Sequence, residues 1–434
     1  MTKKAGTYKD KIVGFFPLFY NLAETGRAVL IAEEFQKHGG NIVFFSHGGQ
    51  YEYLAKRLNC EILHVHPRYS DNFIELLWKS SRLETFHNPF TVENLRTHVE
   101  EEKKAFQKAD VDLIVSTNNW PCRISAPAAK IPLIFVTPKV VAQFTSFPED
   151  ADFFLSFLLP SRLKLALLNW YAPRSKMYVK SFAKVAREYG INPPRYTKEI
   201  NQGDYTFYTN CVTLLDETNN YKSKNERFIG PISLEPLFEK SDDKKRKREQ
   251  REIENHIQNK NRSILITLGS SGTKDLLLKL IDAMQKTAYR VIVVYSNILD
   301  EQSIPYTSEN ILLKKFVPSM ASINNMVDLA ITHGGEGTVL TAAYSGKPVI
   351  GFPMQFEQHL NLEMLVKKGS AVIASKKKCS EENILDMIET IFSNYDFFYQ
   401  NAKKIAKKLP PPTGHKKAAA LITQFLTHGN LKQE

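Results

Sequence analysis

The chain has 434 residues, 43% hydrophobic and 24% charged, enough for two sizeable cores, which excludes a disordered chain or a small disulfide-stapled one. Its formal charge of +12 invites a nucleic-acid reading, but the densest basic cluster, Lys244 to Arg248, is interleaved with Asp242, Asp243, Glu249, Glu252 and Glu254, and no finger, recognition-helix motif or aromatic–basic alternation accompanies it. Nucleic acid is set aside as a partner on that ground. Cys60, Cys122, Cys211 and Cys379 are scattered without CxxC or Cys/His spacing, which argues against a zinc site or a disulfide framework and for a reducing cytoplasm.

In chain order, Lys11–Leu18 is an apolar run that a buried first strand explains better than a signal-peptide core, since no small-residue cleavage site follows. A helix over Arg27–His38 ends at Gly39-Gly40, and strand-like runs follow at Asn41–Ser46, Val111–Ser116 and Ile131–Val136. His47 stands just beyond the second of these strands. His64 and His66 flank Val65 in a strand-like run, and His87 and His98 lie in a polar region with helical spacing. The triplet Asp110-Val111-Asp112 precedes a strand, so it reads as structural and not as a metal-binding DxD. From Phe153 to Tyr171 large apolar residues mix with Arg162 and Lys164. Pro160 and the two charges argue against a membrane span, leaving core packing, a greasy pocket or an interfacial amphipathic element.

The second half repeats the grammar. Strand character appears at Ser263–Leu268, Arg290–Tyr295, Ile311–Phe316, Leu329–Thr332 and Pro348–Phe352, with a helix over Asp275–Thr287, and Tyr395–Phe425 carries helical spacing with lysine-rich faces. Helices alternating with apolar strands imply an α/β protein with parallel sheets, whose ligands sit at the strands' carboxyl ends.

One stretch carries most of the chemistry. Leu329–Thr332 delivers His333-Gly334-Gly335-Glu336-Gly337-Thr338 to a turn, after which Thr338–Ser345 is helical and Gly346 ends it. The first amides of a helix lack intrahelical acceptors and lie at the positive end of its dipole, so a glycine turn there can cradle a diphosphate without a metal. An ordinary strand-to-helix turn explains the glycines alone equally well.

The residues that follow add to this. His333, Gly335, Thr338, Gly346, Pro348, Pro353, Glu357, Gln358 and Asn361 match, without a gap, the pattern H-x-G-x-x-[ST], G-x-P, P, [DE]-Q and N. The chain thereby resembles the family 1 (UDP-glycosyltransferase-like) glycosyltransferases over about residues 226–425. Gly269-Ser270-Ser271-Gly272 is similar to that family's Gly-Ser turn, and the segment with Phe316, Val317 and Pro318 to the one that packs on the nucleotide base. The resemblance implies the GT-B architecture, two Rossmann-like domains facing each other across a cleft. The boundaries expected are an acceptor-binding domain over 1–230, a charged linker over 231–262, a nucleotide-sugar domain over 263–400, and a helix over 401–434 returning to the first domain.

It also implies a nucleotide-diphosphate sugar as donor, inversion by one displacement without a metal, and contacts from Glu357 and Gln358 to the sugar. Thr341 stands where many relatives bind the ribose through a glutamate, which weakens the choice of nucleotide; by the family's majority a UDP-sugar is the first expectation and a dTDP-sugar the second. Many relatives use as base a histidine in the loop after the first strand, oriented by an aspartate. Here Glu24 occupies the histidine's place and Thr117-Asn118-Asn119 the aspartate's, which makes Glu24 the candidate base and Asn118 its companion, since a neutral amide avoids like-charge repulsion. Glu24 would equally suit a helix start, and His47 is a second candidate. The acceptor is expected to be a small molecule, apolar or lipid-like, with peripheral membrane contact. A sugar-nucleotide epimerase or hydrolase on the same fold, or a non-catalytic binder of sugar nucleotides, are the alternatives.

Overall fold

The computed structural model describes residues 8–81, 85, 87–139, 160–215, 224–238, 243–258, 261–269, 272–300, 308–317, 319–374 and 379–431. The chain divides into two compact units: Met1–Val212 with Glu217–Leu234 and Pro411–Glu434, and Thr213–Asp216 with Glu235–Pro410.

The first unit is built on seven parallel strands, β1 (Ile12–Pro17), β2 (Asn41–Ser46), β3 (Ile62–His64), β4 (Leu113–Thr117), β5 (Leu133–Thr137), β6 (Tyr205–Tyr208) and β7 (Glu226–Phe228), in the order 3-2-1-4-5-6-7. Its helices are α1 (Leu22–Lys37), α2 (Glu52–Lys56), α3 (Asp71–Ser81), α4 (Val92–Lys108), α5 (Cys122–Ala128), α6 (Ser161–Tyr171) and α7 (Val179–Glu188). Strands buried on both faces explain the continuous apolar runs: Val13, Phe15 and Phe16 of β1 are inaccessible, as are Leu113, Ile114 and Val115 of β4. Gly14 has to be small, because a Cβ there would lie 2.6 Å from the Phe45 ring and 2.8 Å from Ile114.

The second unit holds β8 (Ser263–Thr267), β9 (Arg290–Val294), β10 (Ile311–Lys314), β11 (Leu329–Thr332), β12 (Val349–Gly351) and β13 (Ala371–Ile373), all parallel, in the order 10-9-8-11-12-13. Around them run α8 (Asp243–Ile257), α9 (Lys274–Gln285), α10 (Met320–Met326), α11 (Glu336–Ser345), α12 (Phe356–Val366), α13 (Glu381–Ser393) and α14 (Tyr395–Ala406). The last helix, α15 (Gly414–His428), belongs to the first unit, where it packs on α1. Lys11 Nζ donates to the Leu426 carbonyl at 2.9 Å, and Gly414 fits because its Cα sits against the Gly230 carbonyl.

Both sheets share one topology. The order reverses between β1 and β4 in the first and between β8 and β11 in the second, and at such switch points adjacent crossovers leave in opposite directions and open a crevice at the strand ends. The α/β fold class inferred from the alternation of elements is the one observed. One element differs. The charged segment expected as a solvated connector is largely the helix α8, and Ile253 on it is fully buried with Leu265, Ile292, Ile323 and Val327. Two isoleucines one turn apart, Ile253 and the partly buried Ile257, among lysines and glutamates were too sparse a pattern to announce an anchored helix.

Candidate functional site

In the second unit, β8 and β11 run side by side to Thr267 and Thr332, which are register partners. Gly269 leaves β8 at φ +58°, and His333 leaves β11. The imidazole of His333 is clasped between two glycines: a Cβ on Gly269 would lie 2.4 Å from its Cε1, and one on Gly335 2.5 Å from its Nε2. Gly334, at φ +90°, is pressed against the Gln358 carbonyl in the same way. Three of the turn's residue types are thus fixed by close approach and by left-handed backbone, independent of any ligand.

His333 is 6% exposed and its Nδ1 is buried without a partner. Burial holds its pKa down to about 4 against a hydrogen bond to the Thr267 backbone that would raise it, so at neutral pH it is an uncharged imidazole with one N–H and one lone pair to divide between that bond and a ligand. The next helix, α11, starts after Gly335, and no side chain caps it. Its amino end therefore keeps the polarity of unsatisfied amides that suits an oxyanion.

A relay of hydrogen bonds holds the turn in shape. The Gly334 amide donates to Thr332 Oγ1 at 3.4 Å, Thr332 Oγ1 to Thr338 Oγ1 at 2.7 Å, and Thr338 Oγ1 to the Gly335 carbonyl at 2.9 Å. The Thr338 proton is committed to the turn, so the residue shapes the cradle. Thr341 likewise spends its proton on the Gly337 carbonyl at 2.7 Å.

Downstream, Gln358 departs from expectation. Its Oε1 accepts the amides of Met354 and Gln355 and its Nε2 donates to Gln355 Oε1, a reciprocal cap on α12 that leaves it 2% exposed and tied into its own helix start. Asn361, buried on the inner face of α12, donates to Glu357 Oε1 at 3.0 Å and to the Gly334 carbonyl at 3.1 Å, joining the acidic residue to the glycine turn. The sequence pattern contained Asn361 without revealing this bridging role. Phe316 is 61% exposed, a free aromatic face beside Val317, while Ser270, Ser271 and Pro318 lie outside the described residues.

In the first unit, the equivalent switch point lies between β1 and β4. Asn21 caps α1 by accepting the amides of Ala23 and Glu24, which fixes Glu24 in the first turn. Pro17 and Thr117 are register partners. Asn118 follows at φ +61°, a left-handed conformation asparagine tolerates, and its Nδ2 donates to Glu24 Oε1 at 2.7 Å. Thr117 Oγ1 donates to the Glu24 carbonyl at 2.9 Å. Arg27, one turn along the helix and equally buried, pairs with the same Oε1 at 2.9 Å. The i,i+3 spacing of Glu24 and Arg27 on α1 is what allows that pair.

Glu24 Oε2 remains buried and unpartnered, as does Asn118 Oδ1. A carboxylate with one oxygen held by two donors and the other vacant is arranged to accept a proton donor from outside the chain. Tyr20 lies near; burial first and the Glu24 charge second push its phenol well up, so it stays protonated.

His47 is a different case. It is 3% exposed, stacked between Phe16 and Tyr69 at ring separations of 5.1 and 4.8 Å, with Nε2 2.9 Å from Glu102 Oε1 and Nδ1 2.9 Å from the Pro67 carbonyl. Both ring nitrogens are engaged inside the unit, which corrects the expectation of His47 as a base. Glu102 is fully buried and also accepts from Asn119 Nδ2 and Ser125 Oγ, a network the polar look of α4 concealed. His98 on the same helix is fully buried, and burial lowers its pKa to about 4. Asp112 Oδ2 accepts the Ile12 amide at 2.9 Å, an anchor at the start of the sheet. Among the described residues no group of His, Cys, Asp and Glu is arranged to hold a metal ion.

Comparison with known proteins agrees with this geometry. Residues 263–418 match the glycosyltransferase family 28 C-terminal domain. A PGL/p-HBAD biosynthesis glycosyltransferase of Mycobacterium tuberculosis is 24% identical over 365 residues, covering 80% of this chain and 77% of its own. An NDP-glycosyltransferase of Bacillus subtilis, YjiC, is 23% identical over 172 residues, 39% of this chain and 43% of its own. The solved calicheamicin glycosyltransferase CalG4 superposes with a TM-score of 0.66 at 14% identity, over 96% of this chain and 98% of that one. The glycosyltransferase VinC, solved in complex with dTDP, gives 0.60 at 16% identity over 95% and 99%.

Proposed function

Because this chain is a family 1-like glycosyltransferase of the GT-B fold, we propose that it moves a sugar from a nucleoside diphosphate to an acceptor hydroxyl by a single inverting displacement that needs no metal. The observation that carries this reading is the uncapped amino end of α11, set beside a neutral histidine with an unpartnered buried nitrogen at the β8/β11 switch point. Backbone amides of the turn and the His333 ring take up the negative charge that develops on the leaving diphosphate. Glu357, held by Asn361, contacts sugar hydroxyls, and Phe316 offers a ring for the base to stack on.

At the other switch point Glu24 is the general base. Its free Oε2 receives the proton of the acceptor hydroxyl, the acceptor oxygen forms the new bond to the anomeric carbon, and the electron pair of the broken bond departs on the β-phosphate. Asn118 and Arg27 are positioning residues: they fix Oε1 and leave Oε2 the proton-accepting atom. The acceptor is apolar or lipid-like and is met in the cytoplasm at a membrane surface. UDP is the first choice of nucleotide. dTDP is the second, favoured by the dTDP complex of VinC and the thymidine diphosphate complex of the spinosyn rhamnosyltransferase SpnG. A rhamnosyl donor fits that second choice, since relatives include a PGL/p-HBAD biosynthesis rhamnosyltransferase of Mycobacterium bovis.

The experiment is a thermal-shift panel of nucleoside diphosphates, followed by an assay that separates free sugar, free nucleotide and transferred sugar. A shift with UDP or dTDP and sugar release only when an acceptor is present is the expected result. No shift with any nucleotide would overturn the reading, and sugar release without an acceptor would replace transfer by hydrolysis.

A further inference from the structure

Helix α6, Ser161–Tyr171, is amphipathic in the wrong sense for a helix that only packs on its own unit. At 100° per residue Leu163, Leu167, Trp170 and Tyr171 fall within one arc, and that arc faces outward: they are 48, 44, 61 and 47% exposed. Leu168, outside that arc, is buried. A soluble surface helix turns its apolar stripe to the core, so a stripe of leucine, tryptophan and tyrosine turned to solvent marks a surface meant to be covered.

The charges around it say what covers it. From Pro160 to Lys180 the chain has basic residues at Arg162, Lys164, Arg174, Lys176 and Lys180, and no aspartate or glutamate. Arg174 lies over the Trp170 ring, 4.9 Å from its centroid, and donates to the Trp170 carbonyl at 2.7 Å, so a guanidinium stands at the edge of the apolar patch. Lys176 and Lys180 are exposed beyond it. No helix among the described residues is long and apolar enough to cross a membrane. Apolar side chains with interfacial aromatics, bordered by the exposed cations Arg174, Lys176 and Lys180, complement a bilayer whose headgroups are anionic: the rings and leucines enter the headgroup boundary and the cations stay with the phosphates.

We propose that the exposed face of α6 docks the protein onto an anionic lipid surface. The proposal deepens the reading of an apolar, membrane-borne acceptor and rests on it for its purpose, bringing the acceptor domain to the bilayer.

The test is co-sedimentation of the full chain with vesicles of phosphatidylcholine alone and with about one third phosphatidylglycerol, for the parent, Leu167→Ser/Trp170→Ser and Lys176→Glu/Lys180→Glu. Nucleotide-induced thermal shift is measured on all three as a check of folding and of the donor site. The parent is expected to bind the anionic vesicles at least about tenfold more tightly than the neutral ones, and each double variant to lose at least about tenfold with its nucleotide shift intact. Equal binding of both vesicle types, no binding, or binding unchanged in Leu167→Ser/Trp170→Ser would overturn the proposal. A parent dimer that the serine variant converts to monomer, with no vesicle binding, would assign the face to a second copy of the chain instead. Loss of nucleotide shift in the parent with vesicle binding retained would sink the transferase reading and not the docking.

Discussion

Glu24 is proposed as the base because its neighbours suit a carboxylate. A histidine base is helped by a nearby carboxylate, whereas a carboxylate base beside another would be destabilised, and Asn118 with Arg27 supplies neutral and positive partners in its place. Glu24→Gln keeps the shape and removes the proton acceptor, so kcat should fall by about 10²–10⁴-fold while the nucleotide's Kd is unchanged; an unaltered kcat would dismiss Glu24 as base. Asn118→Asp should lower kcat and depress activity most strongly above neutral pH, where both carboxylates are charged, and a pH profile checks it. At the donor site, Gly269→Ala places a methyl 2.4 Å from the His333 ring on a residue at φ +58°. Left-handed strain alone costs about 1–2 kcal/mol, so a lowered melting temperature and weakened nucleotide binding are expected together.

Among the elements, the strands were legible because each is buried on both faces and reads as an unbroken apolar run; Asn41–Ser46 and Leu329–Thr332 have the same bounds in the sequence reading and the structure. Helices whose partners are remote were less so. Only Ile253 and Ile257 give α8 an apolar side, and the buried face of α4 includes His98 and Glu102, which look solvated in a one-dimensional pattern because their partners, His47 and Ser125, are distant in sequence. Gln358, which the motif implies for the sugar, also forms the reciprocal cap at the start of its own helix, a role the motif does not announce. The buried histidines have a measurable consequence. His98 and His333 titrate near 4 when folded and near 6.5 when unfolded, so above pH 6.5 neither affects stability. Between pH 6.5 and 4 the unfolded chain binds protons the folded one refuses. Stability should therefore fall through that window, by up to about 3 kcal/mol for each histidine, and level off below it. Denaturant titrations of the parent and His98→Leu across pH 4–7 should show a shallower slope in the variant.

Across the whole molecule, one topology appears twice, and the residues singled out from the sequence gather at its two points of strand reversal: Glu24 and Asn118 after β1 and β4, Gly269 and His333 after β8 and β11. That placement follows from parallel connectivity, in which adjacent crossovers departing to opposite faces leave main-chain groups at the strand ends unpaired. The division of labour it suggests is testable without an acceptor. A nucleotide that binds the second unit's folded form alone stabilises it by RT ln(1+[L]/Kd), about 2.7 kcal/mol at a hundredfold excess over Kd. Hydrogen exchange with saturating UDP or dTDP should then slow in peptides spanning residues 333–341 and the end of β8, because amides at the head of α11 gain an acceptor and the unit opens less often. Peptides from α15, which packs within the first unit, should exchange at their former rate. Protection confined to the first unit would move the nucleotide to the Glu24 side and reverse the assignment of donor and acceptor units.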